Sequence, residues 1–270
     1  MRGDEPTREP YKIAADGLRG RMALVTGAGW RRGIGAAICH ALAEKGADVF
    51  FTYWSAYDDE ILPDDRDRPG ALLQELRGAG VRVEAIELDL SLPDSPEHLL
   101  DAATERLGPP SILVNNAAYS TRDGFEELDV ATLDAHYAVN LQATALLSVG
   151  FARRFEGGFG RIINLTSGQS LGPMPGELAY VATKGAVEAF TRTLAAEVGH
   201  KGITVNAVNP GPTDTGWMPE GLKRELSSKF PAGRVGQPED AAKTVAFLAG
   251  EEAAWITGQV IHSEGGFLCS

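Results

Sequence analysis

Cysteine is scarce: Cys39 and Cys269 are the two in 270 residues, and they stand near opposite ends of the chain. So few thiols so far apart exclude a metal knuckle and a disulfide framework, and both are expected to be free in a reducing compartment. No metal site is expected. Long hydrophobic runs are also missing; nothing approaches the ~18 consecutive apolar residues of a membrane span, so a transmembrane protein is excluded. The opening MRGDEPTREPYKIAADG lacks the apolar stretch of a secretory signal. It reads as a polar, loosely ordered tail over residues 1–20 of a cytoplasmic protein. Basic charge is in deficit, 25 Lys and Arg against 37 Asp and Glu, for a net charge of -12. Phosphate backbones and anionic membranes are held by excess Lys and Arg, so neither is an expected partner. Any anionic ligand must be caught by a local device.

What is present is an ordinary globular composition, 43% hydrophobic and 23% charged, on a chain long enough to bury a substantial core. Short apolar or β-branched runs alternate with longer amphipathic stretches, the pattern of a parallel sheet covered by helices. The strand-like runs are 22–27, 48–53, 82–88, 111–117, 161–167, 203–209 and 258–262. Helical candidates lie at 34–45, 71–79, 95–107, 129–154, 180–199 and 239–249. The fold class is therefore α/β, a single Rossmann-type doubly wound domain over 21–270 with a seven-stranded parallel sheet and helices on both faces.

Two segments break the rhythm. Residues 55–70, SAYDDEILPDDRDRPG, combine a charge run with two prolines and read as an irregular surface insertion. Residues 210–240 form a long Gly/Pro-rich excursion beside the carboxyl edge of the sheet, read as a lid over 212–235.

The run ALVTGAGWRRGIGAAICHALAEKGADVFF is strand, glycine turn, helix and strand. Gly27, Gly33 and Gly35, with Ile34 between the last two, stand where the chain must turn tightly and admit a pyrophosphate to a helix amino terminus. The flanking elements make the signal specific. At the end of the second strand, where a carboxylate would bind the adenosine ribose, the chain has Thr52, Tyr53, Trp54 and Ser55, with no acid before Asp58. With Arg31 and Arg32 in the loop, the site suits NADP(H), with NAD(H) possible.

Further along, Tyr180 and Lys184 are four apart on a helical pattern and share a face. A phenol of ordinary pKa ~10 is a poor catalyst at neutral pH unless an ammonium favours its ionised form. Ser167 ends a strand at the same sheet edge. Singly, each is most simply a surface or capping residue; together they are not.

Ser167, Tyr180 and Lys184 match S-x12-Y-x3-K, and with the glycine loop the chain resembles the short-chain dehydrogenase/reductase family over residues 21–267. The family's loop is usually T-G-x-x-x-G-x-G; here it carries two extra residues. The resemblance implies further roles. Asn116 and Ala117, in the NNAA run, would brace the sheet centre and border the cofactor, and Asp89 and Leu90 would flank the adenine. Asn140 would hold a water behind the lysine, while Pro210, Gly211, Thr213 and Thr215 would receive the nicotinamide amide. Tyr180 and Lys184 would serve both catalysis and the nicotinamide ribose.

The implied activity is hydride transfer between a nicotinamide cofactor and a carbonyl or carbinol carbon, nearest in pattern to 3-oxoacyl carrier-protein reductases. Ser167 would bind the substrate oxygen, Tyr180 would pass it a proton and Lys184 would lower the phenol pKa. An NAD-dependent secondary-alcohol dehydrogenase on the same residues is the alternative, and a non-catalytic dinucleotide sensor is the alternative of another class. An enoyl reductase would need Y-x6-K, and Glu177 stands seven before Lys184. The expected substrate wall is Tyr119, Gln169, Leu171, Met174, Glu177, Leu178, Trp217 and Met218, without Arg or Lys, which favours a neutral or amphipathic ketone. The two long helices resemble those that pair between subunits of the family, so a homo-oligomer, a tetramer, is expected.

Overall fold

The computed structural model describes residues 17–61 and 68–267. The expectations placed on residues 1–16, on 62–67 and on Cys269 lie outside the described residues. Of the polar tail, only 17–20 fall within them, and there Leu18 is buried with its N–H on the Lys45 carbonyl at 2.7 Å.

Seven strands form one parallel sheet in the order β3-β2-β1-β4-β5-β6-β7. They are β1 (Met22–Val25), β2 (Asp48–Tyr53), β3 (Val83–Glu87), β4 (Ile112–Asn115), β5 (Gly160–Leu165), β6 (Ile203–Asn209) and β7 (Val260–His262). The helices are α1 (Ile34–Glu44), α2 (Ser55–Ile61), α3 (Arg68–Gly78), α4 (Ser95–Leu107), α5 (Val130–His136), α6 (Thr144–Arg154), α7 (Leu178–Val198), α8 (Glu220–Ser227) and α9 (Pro238–Leu248).

Period-two alternation sorts the strand residues into two cores. Ala23, Val25, Val49 and Phe51 face one side with Ile38 and Leu42 of α1, Leu72 and Leu76 of α3, and Val245 of α9. Met22, Leu24 and Phe50 face the other with Leu99 of α4, Leu147 and Phe151 of α6, and Leu194 of α7. Both sheet faces are thus dry, and the polar atoms of the strand ends are left to the carboxyl edge. The strand order reverses between β1 and β4, which opens a crevice at that edge.

Three elements differ from the sequence-based reading. Residues 55–61, read as irregular, form α2, and α3 starts at Arg68 rather than at 71. The span 129–154, read as one helix, is α5 and α6 joined by a π-helical segment, Tyr137–Ala143. That wider turn is invisible to a 3.6-residue periodicity. Within 212–235 the chain forms α8, and Met218, Phe230 and Val235 build a small core of their own with Leu226 and Phe267.

A buried polar ladder crosses the second face. Asn115 donates to Asn164 Oδ1 at 2.8 Å and to Ser148 Oγ at 3.0 Å, and Asn164 donates to Thr191 Oγ1 at 2.9 Å. It ties β4, β5, α6 and α7 together where no water can substitute. Asn164→Ala strands one donor and one hydroxyl in the interior, and we expect a loss of about 2–3 kcal/mol in urea unfolding. Thr193→Ala, on the exposed face of α7, should stay within about 0.5 kcal/mol. Equal losses at the two positions would remove the ladder from the account of the fold.

Candidate active site

The glycine turn is pinned to the end of β4. Asn116 Nδ2 donates to the carbonyls of Thr26 and Gly27 at 2.9 and 2.8 Å, and Thr26 Oγ1 accepts from the Asn116 and Ala117 N–H groups at 3.0 Å each. Thr52 Oγ1 accepts the Gly27 N–H at 3.1 Å. Gly27 has φ +70°, and a Cβ there would lie 2.7 Å from Ala117 Cα. A Cβ on Gly35 would press on the Gly27 carbonyl and lie 2.7 Å from Asn116 Nδ2. No larger residue fits either place. Thr26 and Thr52 were not singled out in the sequence; a threonine just before the first glycine was the available signal for one of them.

The turn opens on a cleft of about 530 Å³. Of the residues expected at a cofactor, Gly27, Gly33, Ile34, Gly35, Trp54, Asp89, Leu90, Asn116, Ala117 and Thr215 line it, as does Tyr119. Volume, glycine floor and helix amino terminus fit an extended dinucleotide. Other expected residues are elsewhere. Arg31 is turned outward onto Glu75, and Tyr53 lies beside the lining residues Thr52 and Trp54. The Arg32 guanidinium lies beside Gly216, close enough to Asp214 to help hold that carboxyl below its usual range. The Pro210–Thr213 turn is folded on itself: Gly211 has φ +63° with its N–H on Asn209 Oδ1 at 2.9 Å, and the Thr213 hydroxyl reaches the Pro210 and Gly211 carbonyls at 3.3 and 3.2 Å.

Residues outside the expected set also shape the cleft and its surroundings. Tyr57 of α2 packs its ring 5.6 Å from that of Tyr119 and accepts the Ser120 N–H at 3.3 Å. Asp58 sits against Gly29 of the loop, where any Cβ would meet its carboxylate. Trp30, one of the loop's extra length, donates its indole N–H to the Thr215 carbonyl at 2.6 Å and so clasps the start of the 212–235 segment.

Beyond Tyr119 a chain of contacts leads to the titratable residues. Tyr119 exchanges two main-chain hydrogen bonds with the Asn140 amide, at 2.7 and 2.9 Å. Asn140, 1% exposed in the π-helical segment, donates to Thr183 Oγ1 at 3.1 Å, which in turn donates to the Tyr180 carbonyl at 2.9 Å. Tyr180 hydrogen-bonds Ser167, whose hydroxyl also lies 3.7 Å from Met174 Sδ. Lys184 places Nζ 5.6 Å from the Tyr180 ring centre and donates to the Leu165 carbonyl at 2.8 Å. Asn140 of the π-helical segment, Ser167 of the turn after β5, and Tyr180 and Lys184 of α7 therefore meet at the carboxyl edge next to the cleft.

Desolvation dominates the electrostatics of the tyrosine and the lysine. Burial pushes the Tyr180 phenol up to about 12, helped by the Glu177 carboxylate and opposed by the Ser167 hydrogen bond. Burial also pushes Lys184 down to about 8. The ammonium is engaged by the Leu165 carbonyl and lies 5.6 Å from the centre of the phenol ring.

The expected substrate wall is only partly assembled. Met174 touches Ser167 and Tyr119 lines the cleft. Leu171, Leu178 and Trp217 are exposed, with the Trp217 indole on the Thr213 carbonyl at 3.1 Å. Gln169 turns inward, its amide 2.6 Å from Glu188, and Met218 is buried in the small core of its segment. Glu177, half-buried, pairs with Arg122 at 2.9 Å, so a basic side chain that the sequence reading did not place there stands beside this wall.

The chain is similar to known proteins along nearly its whole length. A family model described as enoyl-(acyl carrier protein) reductase matches residues 27–268. An uncharacterized oxidoreductase of Bacillus subtilis (strain 168), YjdA, is 52% identical over 92% of this chain and 97% of its own. A short-chain dehydrogenase/reductase from Serratia marcescens BCRC 10948 superposes with a TM-score of 0.84 at 36% identity, covering 93% of this chain and 99% of that one. The angucycline C-6 ketoreductase LanV with bound NADP gives a TM-score of 0.84 at 33% identity, over 94% and 98%.

Burying the Lys184 ammonium costs stability. Below its folded value of about 8 both folded and unfolded states carry the proton, and folding bears the whole cost. Between about 8 and 10.5 the unfolded state holds more protons, so this cost fades as pH rises. The drop corresponds to roughly 3 kcal/mol, less about 1 for the Leu165 hydrogen bond. Without added dinucleotide, Lys184→Met should therefore melt higher than wild type at pH 7, with the gap closing toward pH 10. A variant that melts lower at pH 7 would contradict the cost assigned to the buried ammonium.

Proposed function

The chain belongs to the short-chain dehydrogenase/reductase family, and we propose that it is an NADP(H)-dependent oxidoreductase working on ketones and the matching secondary alcohols. The observation that carries this reading is Tyr180 hydrogen-bonded to Ser167, beside Lys184 and next to the dinucleotide cleft. The three-residue interval between Tyr180 and Lys184 supports carbonyl rather than enoyl chemistry.

A bound nicotinamide cofactor supplies the hydride. Gly27, Gly33, Ile34 and Gly35 would hold its pyrophosphate; Asp89 and Leu90 its adenine; Asn116 and Ala117 its central part; Lys184 and Thr215 its nicotinamide end. Ser167 donates a hydrogen bond to the substrate carbonyl oxygen. Tyr180 passes its phenolic proton to that oxygen as negative charge develops there. A phenol at about 12 is protonated at neutral pH and stands ready as the donor in reduction, and the phenolate it leaves is the base from which oxidation starts. Thr183 and Asn140 hold the backbone behind Tyr180, so the donor keeps its place.

The cofactor preference rests on Arg32, since Arg31 is engaged by Glu75 and β2 ends without a carboxylate. The bound NADP of the ketoreductase LanV supports the same choice. Asp58 on α2 opposes it, and Arg32 with its fork of donors has to outweigh that charge.

Two outcomes are expected. Tyr180→Phe abolishes turnover of ketones, β-keto esters and aryl ketones with NADPH, a loss of at least ~10²-fold in kcat, while the dinucleotide Kd changes little. A variant keeping more than about a tenth of wild-type kcat would end the assignment. Arg32→Ala weakens NADPH, read by titration, by about tenfold or more and leaves NADH within about twofold, the loss of one charge-assisted pair to a 2′-phosphate. Parallel losses for both dinucleotides would place Arg32 outside the adenosine end.

A further inference from the structure

Glu188 is an ionisable side chain on the inner face of α7, 5% exposed, and nothing in the chemistry above uses it. A carboxylate is taken out of water at a high cost unless hydrogen bonds replace its hydration. Three do so, all on Oε1: Gln169 Nε2 at 2.6 Å, Thr166 Oγ1 at 3.2 Å and Ser170 Oγ at 3.3 Å. The donors flank Ser167 on both sides. The Thr166 hydroxyl also lies 3.3 Å from the Lys184 carbonyl, which closes the turn against the helix.

From these contacts, and resting on the reading of Ser167 and Tyr180 given above, we propose that Glu188 is a positioning residue: its carboxylate clamps the 166–170 turn to α7 and thereby sets the Ser167 hydroxyl against Tyr180. Tyr180, Lys184 and Glu188 stand at i, i+4 and i+8 on one helical face. The helix that carries the proton donor thus also holds the turn that carries its partner, and the separation of the two hydroxyls is fixed within a single rigid element. Ser167 itself gives Glu188 nothing. Its hydroxyl is left for Tyr180 and for the open side next to Met174, and its direction follows from the turn. Gln169 shows how strongly the clamp is favoured: its Oε1 is buried without a hydrogen-bond partner so that its NH2 can face Glu188. An apolar residue at 188 would pack as well but would release all three donors.

The test is a double-mutant cycle on the full chain with NADPH and ethyl acetoacetate, or the fastest ketone of the panel above, reading kcat, KM, dinucleotide Kd and melting temperature. Glu188→Ala should lower kcat about 10- to 100-fold, as a misplacement near 1 Å does. The dinucleotide Kd should stay within about twofold, and Glu188→Gln, which keeps one carbonyl oxygen for the donors, should recover most of the loss. In a Ser167→Ala background, Glu188→Ala should cost less than about twofold more, because its route to the reaction is already gone. Multiplicative losses in the double variant, or a fall in dinucleotide affinity as large as that in kcat, would overturn the proposal and leave Ser167 and Tyr180 in their roles. Wild-type kcat in Ser167→Ala alone would overturn that reading and the proposal with it. Should Glu188→Ala fail to fold, Gln169→Leu removes the shortest bond from the other side; its kcat loss should likewise vanish in the Ser167→Ala background, and persistence there counts against the clamp.

Discussion

The seating of α7 on the end of β5 is the constraint from which the rest of the site follows. Four buried polar contacts make it: Asn164 with Thr191, Leu165 with the Lys184 ammonium, and Thr166 with both the Lys184 carbonyl and Glu188. They run up the helix at successive turns, so α7 can neither slide nor rotate against the sheet without leaving a donor unsatisfied in a dry interior. Apolar contacts alone would fix the separation of the two elements but not their register. Register is what a pair of hydroxyls at hydrogen-bonding range demands, and that demand explains why polar groups occupy positions that leucine or valine would fill more cheaply.

The glycine turn is built on the same logic at the neighbouring strand. The Thr26 and Thr52 hydroxyls and the Asn116 Nδ2 bond the backbone around the loop and hold its remaining N–H groups in place. An acidic chain can in this way offer a phosphate a favourable site without a basic surface. The loop's added length has a structural use as well. Trp30 reaches the Thr215 carbonyl and joins the first βα turn to the excursion after β6. The excursion is anchored at its other end by Phe230 packing on Phe267, ring centres 4.9 Å apart. The segment is thus tethered at both ends and carries a small core of its own between them.

The sequence carried the sheet and the four residues at its edge because both depend on strong, short-range signals. Strand runs alternate with a period of two, and S-x12-Y-x3-K and the glycine run leave few other readings. What was not legible depends on the third dimension. Gln169 follows Ser167 by two residues and was assigned to the substrate, but the preference of its amide for a buried carboxylate nineteen residues later cannot be read from proximity in sequence. Met218 was grouped with its neighbour Trp217, yet one is buried and the other exposed, since adjacent residues on an extended stretch face opposite ways. Arg31 and Arg32 looked equivalent until Glu75, on α3, claimed the first. The π-helical segment left no periodic trace, although it is what turns Asn140 inward to Tyr119 and Thr183.

The same distinction separates the two meanings of a perturbed titration at this site. Lys184 and Tyr180 are displaced in opposite senses by one cause, burial, which disfavours the charged form of each. An ammonium drawn down to about 8 and a phenol pushed up to about 12 are closer to losing and keeping their protons, respectively, than either is in water. A pair arranged to make a phenolate would bring the ammonium onto the phenol oxygen; here the ammonium lies under the ring and on the Leu165 carbonyl. The stored asymmetry therefore favours a tyrosine that gives up its proton only when an oxygen beside Ser167 becomes basic enough to take it. Such a donor holds its proton until the reacting oxygen calls for it, and because the phenolate left by reduction is the one that oxidation starts from, desolvation raises that state for both directions alike.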